Sequence, residues 1–292
     1  MPVQYLTGFK VLDVMKSGSS RPVIVEDKKG DKYLVKLRES LSNPYASISD
    51  FLACKMGSSI GLSVINPQIM YLDASVDVKK VDEEVRDALK KSIGFNVAYP
   101  FFDTAKDVIN TKNENHKTNF DDLWIFDLFL LNIDRTIQNT NIIETNGSLI
   151  SFDYETSMLI LGSIQSVDFY QNATVLKQIR HNPLYTNDFD KEQFNELLSK
   201  LKHLNLSELI GFLPNDWVSK TENLAQILKR DISKAIHNSS IYSEMVDKLA
   251  FITIETEEER KKRILENRKK FETRFKNTPL SKNAQNECDT TI

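Results

Sequence analysis

Over the first hundred positions apolar residues gather in short runs divided by turn residues; beyond them they recur at helical spacing. Residues 8–15 (GFKVLDVM) predict a strand, and KSGSSRP after them a loop. Val23–Glu26 and Tyr33–Leu37 flank the turn DKKGD, so β-branched and aromatic runs around a glycine predict a hairpin. Ser47–Ile60 carries Ile48, Leu52, Met56 and Ile60 at near-helical spacing, with Gly61 suited to the C-terminal cap. Asn66–Asp73 returns to strand character, residues 81–92 predict a short polar helix on Val81, Val85 and Leu89, and 95–102 (FNVAYPFF) predicts a last strand.

The second part of the chain is helical. Asn119 is placed to cap a helix over Phe120–Leu131, with Asp121 and Asp122 in its first turn. That helix is apolar nearly all round and should therefore be buried. A polar loop follows, then two short runs around Asn146-Gly147, a hairpin signal. Helices are expected at 188–203, 219–237 and 241–251. Another is expected over 257–275, where Thr256 and Glu259 form a capping box and several Glu–Lys or Glu–Arg pairs lie four apart. Residues 278–292 read as a disordered tail. A sheet with one helix, a connecting strand and a helical half opening on a polar loop form an α+β, bilobal plan: an N-lobe over 1–102 and a C-lobe over 103–255, followed by the charged helix at 256–277.

Composition narrows the function classes. Of 292 residues, 40% are hydrophobic and 27% charged, which suits a soluble enzyme. No apolar run approaches the ~18 residues of a membrane helix, and the first residues lack the charge and apolar pattern of a secretory signal. Cys54 and Cys288 lie too far apart for a disulfide framework, so a reducing cytoplasm is expected. A net charge of −3 argues against a dedicated nucleic-acid surface. No two of the nine glycines have the spacing of a dinucleotide fingerprint or a Walker loop, and no CxxC, HExxH or GxSxG occurs. The four histidines are scattered without ligand spacing.

Chemistry concentrates in 132–141, NIDRTIQNTN. Asp134 and Asn139 are five apart, and Asp153 lies beyond the hairpin. Phosphoryl transfer needs a carboxylate to orient and deprotonate a hydroxyl, and an amide and a second carboxylate to hold Mg²⁺. A protein-kinase catalytic loop uses the same five-residue spacing. The same residues also suit an ordinary polar turn. Lys36, in the second strand of the hairpin, stands where a kinase carries its phosphate-binding lysine; a solvated strand lysine is the competing reading. Gly18, Ser19 and Ser20 in the preceding loop can offer amides and hydroxyls to an anion. Asp50, early in the next helix, is placed to pair with Lys36 or to serve the helix dipole alone.

With GSSRP at 18–22, YLVKL at 33–37, SSIGL at 58–62, FDLFLLNIDRTIQNTN at 126–141, LISFD at 149–153 and FLPNDWV at 212–218, the sequence resembles the HipA-like kinase family, in its shorter branch lacking the extra N-terminal subdomain. The resemblance implies a bilobal protein-kinase-like, or phosphoinositide-kinase-like, fold that uses ATP and Mg²⁺. It implies Lys36 on the ATP phosphates beside Gly18, Ser19, Ser20 and Asp50. Asp134 would be the catalytic base and Arg135 a brace for the loop or the phosphate. Asn139 and Asp153 would be the metal ligands. Asn132, Asn141 and Asp127 would hold the loop. Asp50 stands where the family usually has Glu, and Tyr154-Glu155 follows Asp153 in place of Phe-Gly.

The activity this implies is serine/threonine protein phosphorylation, with a translation component as protein substrate, growth arrest as the outcome and a small helix-turn-helix antitoxin as partner. No nucleic acid and no membrane partner is expected. A catalytically silent ATP-binding regulatory module, or a small-molecule or lipid kinase, are the other readings.

Overall fold

The computed structural model describes residues 5–15, 21–41, 43–78, 81–109, 111, 116–186 and 190–252. The chain divides into two compact units, Met1–Phe251 and Ile252–Ile292. All of the second unit after Ile252 lies outside the described residues, and with it the expected helix at 256–277 and tail at 278–292. The loop residues Gly18, Ser19 and Ser20 also lie outside them.

The first part of the larger unit is a closed five-stranded barrel in the order β1-β2-β3-β5-β4. β1 (Leu6–Val14), β2 (Val23–Asp27) and β3 (Lys32–Lys36) form an antiparallel meander. β3 pairs with β5 (Gly94–Pro100), β5 with β4 (Gln68–Leu72), and a parallel Leu6↔Met70, Thr7↔Tyr71 contact between β1 and β4 closes the ring. Val11, Val23, Val25, Val35, Met70, Leu72 and Ala98 point inward. α2 (Glu83–Lys91) adds Val85 and Leu89 to the same core. Its start is fixed by Asp82, which accepts the Val85 N–H at 2.9 Å.

Between β3 and β4 runs α1 (Ala46–Ser59), buried along most of its length. The chain leaving it lies along the second sheet, β6 (Lys106–Asp107), β7 (Ile142–Thr145) and β8 (Ser148–Ser151). Ile65 N donates to Ser151 O at 2.8 Å and Ser151 N to Ser63 O at 2.7 Å. Thus the helix that packs on the barrel is joined by backbone to the strand that leads to Asp153. Asn146 and Gly147 both have positive φ (52° and 74°), as the tight β7–β8 turn requires.

α3 (Lys117–Leu130) is the buried helix the apolar run predicted, but it starts earlier. Asn119 is inside it and does not cap it; its amide donates to Ser63 Oγ at 2.7 Å. Four helices were not expected: α4 (Met158–Gln165), α5 (Ala173–Arg180), α7 (Leu206–Gly211) and α8 (Asn215–Val218). α4 is a short run, apolar but for Ser163 and Gln165, with no periodicity to read, whereas α5 and α7 are capped by Asn172 and Asn205. α6 (Lys191–Lys202) is capped by Asp190 within the predicted 188–203 segment. The segment predicted as a helix over 219–237 is helical only from Leu224, as α9 (Leu224–His237). Before it, Asn223 at φ 56° and the short α8 (Asn215–Val218) interrupt the path. α10 (Ser239–Phe251) closes the helical part. Trp217 on α8 donates its indole N–H to Phe95 O at 3.3 Å, tying the helical part to β5. The protein is α+β, β-rich in its N-terminal part and helical in its C-terminal part.

Candidate active site

Lys36 ends β3, where the pleat turns its side chain away from solvent, leaving the residue 4% exposed. Its ammonium is surrounded by three carboxylates: Asp153 Oδ1 at 2.5 Å, Asp50 Oδ2 at 3.0 Å and Glu155 Oε2 at 3.4 Å. Burial alone would push the lysine pKa down, but these three charges outweigh it and raise it well above the usual value, so the ammonium stays charged.

Asp50 sits in the second turn of α1, not at its start, so the helix dipole does not account for it. Its carboxylate is 1% exposed and fully engaged. Oδ2 accepts the Tyr99 hydroxyl at 2.5 Å beside Lys36, and Oδ1 accepts the Tyr154 N–H at 2.8 Å and the Cys54 thiol at 3.6 Å. Burial, then the Asp50 charge, hold the Cys54 thiol well above its usual pKa, which leaves it protonated and unreactive.

The Tyr99 hydroxyl also accepts the Asp153 N–H at 3.3 Å. Asp153 has φ 64°, a left-handed conformation that a non-glycine residue holds only when its neighbours are fixed. They are fixed here by α1: Asp50 takes the Tyr154 N–H, and Ser49 Oγ donates to the Tyr154 carbonyl at 2.9 Å. The loop after β8 is therefore set by α1.

The polar loop begins where α3 ends at Leu131 in the left-handed region. Asp134 lies on it, partly buried. Asn139 Nδ2 donates to its Oδ2 at 3.0 Å and Asn141 Nδ2 to the same oxygen at 3.4 Å. Among the described residues no side chain or N–H bonds Oδ1. Burial first, and then the nearby Asp153 charge, raise the Asp134 pKa and make it a stronger base than a solvated aspartate.

Arg135, expected to brace the loop or the phosphate, is placed for the first of these. It is 1% exposed, and its guanidinium serves the loop itself. Nε and Nη2 clasp Asp127 at 2.5 and 3.1 Å, Nη1 reaches the carbonyls of Thr140 and Asn141, and Nη2 reaches Ser151 Oγ at 2.7 Å and Tyr154 OH at 3.0 Å. With its donors spent in this way it is a brace and has none to offer a phosphate. Asp127 on α3 also accepts Asn132 Nδ2 at 3.1 Å and Asn182 Nδ2 at 2.7 Å. Lys36, Asp50, Asp134, Asn139 and Asp153 thus come together from four separate segments. Tyr99 and Glu155 join them without having been singled out; Tyr99 lay in an apolar strand run, and Glu155 was visible only as a departure after Asp153.

The donor set suits a hard cation. Carboxylates and an amide oxygen are Mg²⁺ ligands, and Asp50, Asp153 and Glu155 surround the Lys36 ammonium with Asp134 near them. Among the described residues no three acidic, His or Cys side chains converge into a ready-made cage.

A family model described as HipA-like kinase matches residues 9–244. Among solved structures, the proinflammatory kinase CtkA of Helicobacter pylori is similar at a TM-score of 0.47 and 13% identity, covering 86% of this chain and 100% of its own. The Rio2 kinase of Chaetomium thermophilum, in an ADP/Mg²⁺-phosphoaspartate complex, gives a TM-score of 0.35 and 12% identity over 78% of this chain and 72% of its own. No curated protein matches the sequence.

Proposed function

The chain belongs to the HipA-like kinase family, and from that premise we propose that it transfers the γ-phosphoryl group of Mg-ATP to a serine or threonine hydroxyl of a protein. The observation that carries this reading is the position of Lys36. A buried, charged ammonium is held between Asp50 of α1 and Asp153 beyond β8, close to a carboxylate, Asp134, whose pKa is raised.

In this reading Lys36 binds the nucleotide phosphates and offsets the charge that builds on the departing ADP. Asn139 and Asp153 would hold Mg²⁺, which when bound neutralises phosphate charge. Asp134 orients the acceptor hydroxyl. Both amide donors fall on Oδ2, so Oδ1 is the oxygen that takes the hydroxyl proton as the acceptor oxygen bonds to phosphorus. Arg135 and Asp127 keep the loop in shape. By the same premise the target is a component of translation, the reaction arrests growth in the cytoplasm, and a small helix-turn-helix protein restrains it. Among the described residues no helix is long and apolar enough to cross a membrane.

The experiment is phosphoproteomics of a cell lysate incubated with the purified protein and Mg-ATP, with Asp134→Asn as control. New phosphoserine or phosphothreonine sites that depend on Asp134 support the proposal. If label appears only in small molecules, or none appears, the protein-kinase reading fails.

A further inference from the structure

Glu155 is the third acid at Lys36, and phosphoryl transfer as described gives it no task. We propose that Glu155 is a positioning residue that keeps the Lys36 ammonium aimed at the nucleotide phosphates while Asp153 serves the metal. The proposal rests on the ATP-site reading above and adds one residue to it.

An ammonium has three N–H donors, and here three carboxylates share them, Asp153 most closely at 2.5 Å. Once Asp153 gives its oxygens to a cation, Lys36 loses its nearest partner. Asp50 alone is a poor substitute. Its side chain is one methylene shorter than glutamate, the Tyr99 hydroxyl lies 2.5 Å from the oxygen that faces Lys36, and its other oxygen holds Tyr154 N–H. Glu155 has what Asp50 lacks. Its side chain is longer and only 18% exposed, and its 3.4 Å contact has room to shorten as Asp153 withdraws. Its backbone follows Tyr154, whose N–H and carbonyl are both fixed to α1. Its main chain is thus anchored to the same helix as Asp50, independently of what Asp153 does.

Simple electrostatics points the other way, which makes the sign of the effect decisive. A fourth carboxylate near ATP repels its phosphates, so a Glu155 without this task would weaken nucleotide binding, and removing it would tighten binding.

The test is titration of N-methylanthraniloyl-ATP, with Mg²⁺ and again with EDTA, into wild type, Glu155→Ala, Glu155→Gln, Lys36→Met and the Lys36→Met/Glu155→Ala double variant. Thermal melts establish that each is folded. The expected result is Mg-ATP binding about tenfold weaker in Glu155→Ala, a change of about 1.4 kcal/mol, little loss with EDTA, where Asp153 still holds Lys36, and a smaller loss in Glu155→Gln, which keeps an acceptor oxygen. In the Lys36→Met background the second substitution should cause no further loss, because Glu155 acts through Lys36. Unchanged or tighter Mg-ATP binding in both Glu155 variants overturns the proposal, as does an equal loss with EDTA, which would give Glu155 a task independent of Asp153; a metal ligand would show its loss in the Lys36→Met background as well. A full additive loss in the double variant overturns it too. If Lys36→Met binds as wild type does, the ATP-site reading itself falls; if only the Glu155 variants are silent, that reading stands and this one does not.

Discussion

The Lys36 ammonium and the Asp50 carboxylate meet at 3.0 Å with their side chains 5% and 1% exposed. Taking two such ions out of water costs several kcal/mol each, and the attraction between them offsets this only when the remaining hydrogen-bonding capacity is used. It is used here. Tyr99 OH and Tyr154 N–H complete Asp50, and Asp153 and Glu155 complete Lys36. The pair is therefore part of the fold as well as part of the site.

Asp50→Ala should accordingly lower both phosphotransfer and stability. Removing one partner of a buried pair typically costs about 3–5 kcal/mol, and the two remaining carboxylates at Lys36 place this case near the lower end. Asp50→Glu should not be neutral either. An added methylene in this filled position overpacks it by about 1–3 kcal/mol. Chemical denaturation of both variants measures this; a wild-type midpoint for Asp50→Ala would show that the pair contributes nothing to the fold.

Nucleotide should stabilise the wild-type protein by mass action. At Mg-ATP a hundredfold above Kd the gain is about 2.7 kcal/mol, or about 5–10 °C in Tm for a chain of this size. Lys36→Met and Asp153→Asn should each lose most of that shift, measured against their own nucleotide-free melts. An undiminished shift in both would remove them from the binding site.

Asp134→Asn should keep the Mg-ATP shift and lose turnover by about 10²–10⁴-fold, the usual worth of a positioned base. It should also melt slightly higher at neutral pH. Burial and the Asp153 charge raise the Asp134 pKa, so the ionised form is disfavoured in the fold. That cost grows as pH rises from the unfolded pKa to the folded one and is fully present above the latter. The variant's advantage should therefore be present at pH 7.5 and fade as pH falls through the raised folded value. Melts of both proteins across pH test the sign.

Arg135→Lys should behave as a folding variant. A lysine cannot reproduce the fork on Asp127 or reach Ser151, Tyr154 and the two loop carbonyls together. A loss of about 3–5 kcal/mol is expected, read as a lower denaturation midpoint. A stable protein with only kcat reduced would return Arg135 to the reacting centre.

Much of this site could be read along the chain because its chemistry is local. The Asp134–Asn139 spacing, the Asn146-Gly147 turn and the apolar run of α3 each lie within a few residues. What could not be read is set by contacts across the chain. Barrel closure depends on a parallel meeting of Leu6 with Met70, which no periodicity announces. Asp50 was open between pairing with Lys36 and serving the helix dipole, because its meeting with β3 is made across the chain. Arg135 could be read as bracing either the loop or the phosphate, because the sequence does not show that successive loop residues point opposite ways, one to the cleft and one to Asp127. Glu155 matters only because β3 and α1 bring Lys36 to it.

The grip of Ser49 and Asp50 on both sides of the Tyr154 peptide bears on how such an enzyme is switched. In protein kinases the placement of the helix acid against its lysine is a point of control. Here α1 cannot swing out without releasing Tyr154, whose hydroxyl bonds the Arg135 clasp, so retreat of the helix would dismantle the catalytic loop as well. Tilting this helix is consequently a poor off-switch, because the idle position costs part of the fold. On the proposed function, restraint would fall on traffic through the cleft: on what enters it, what blocks it and which hydroxyl reaches Asp134.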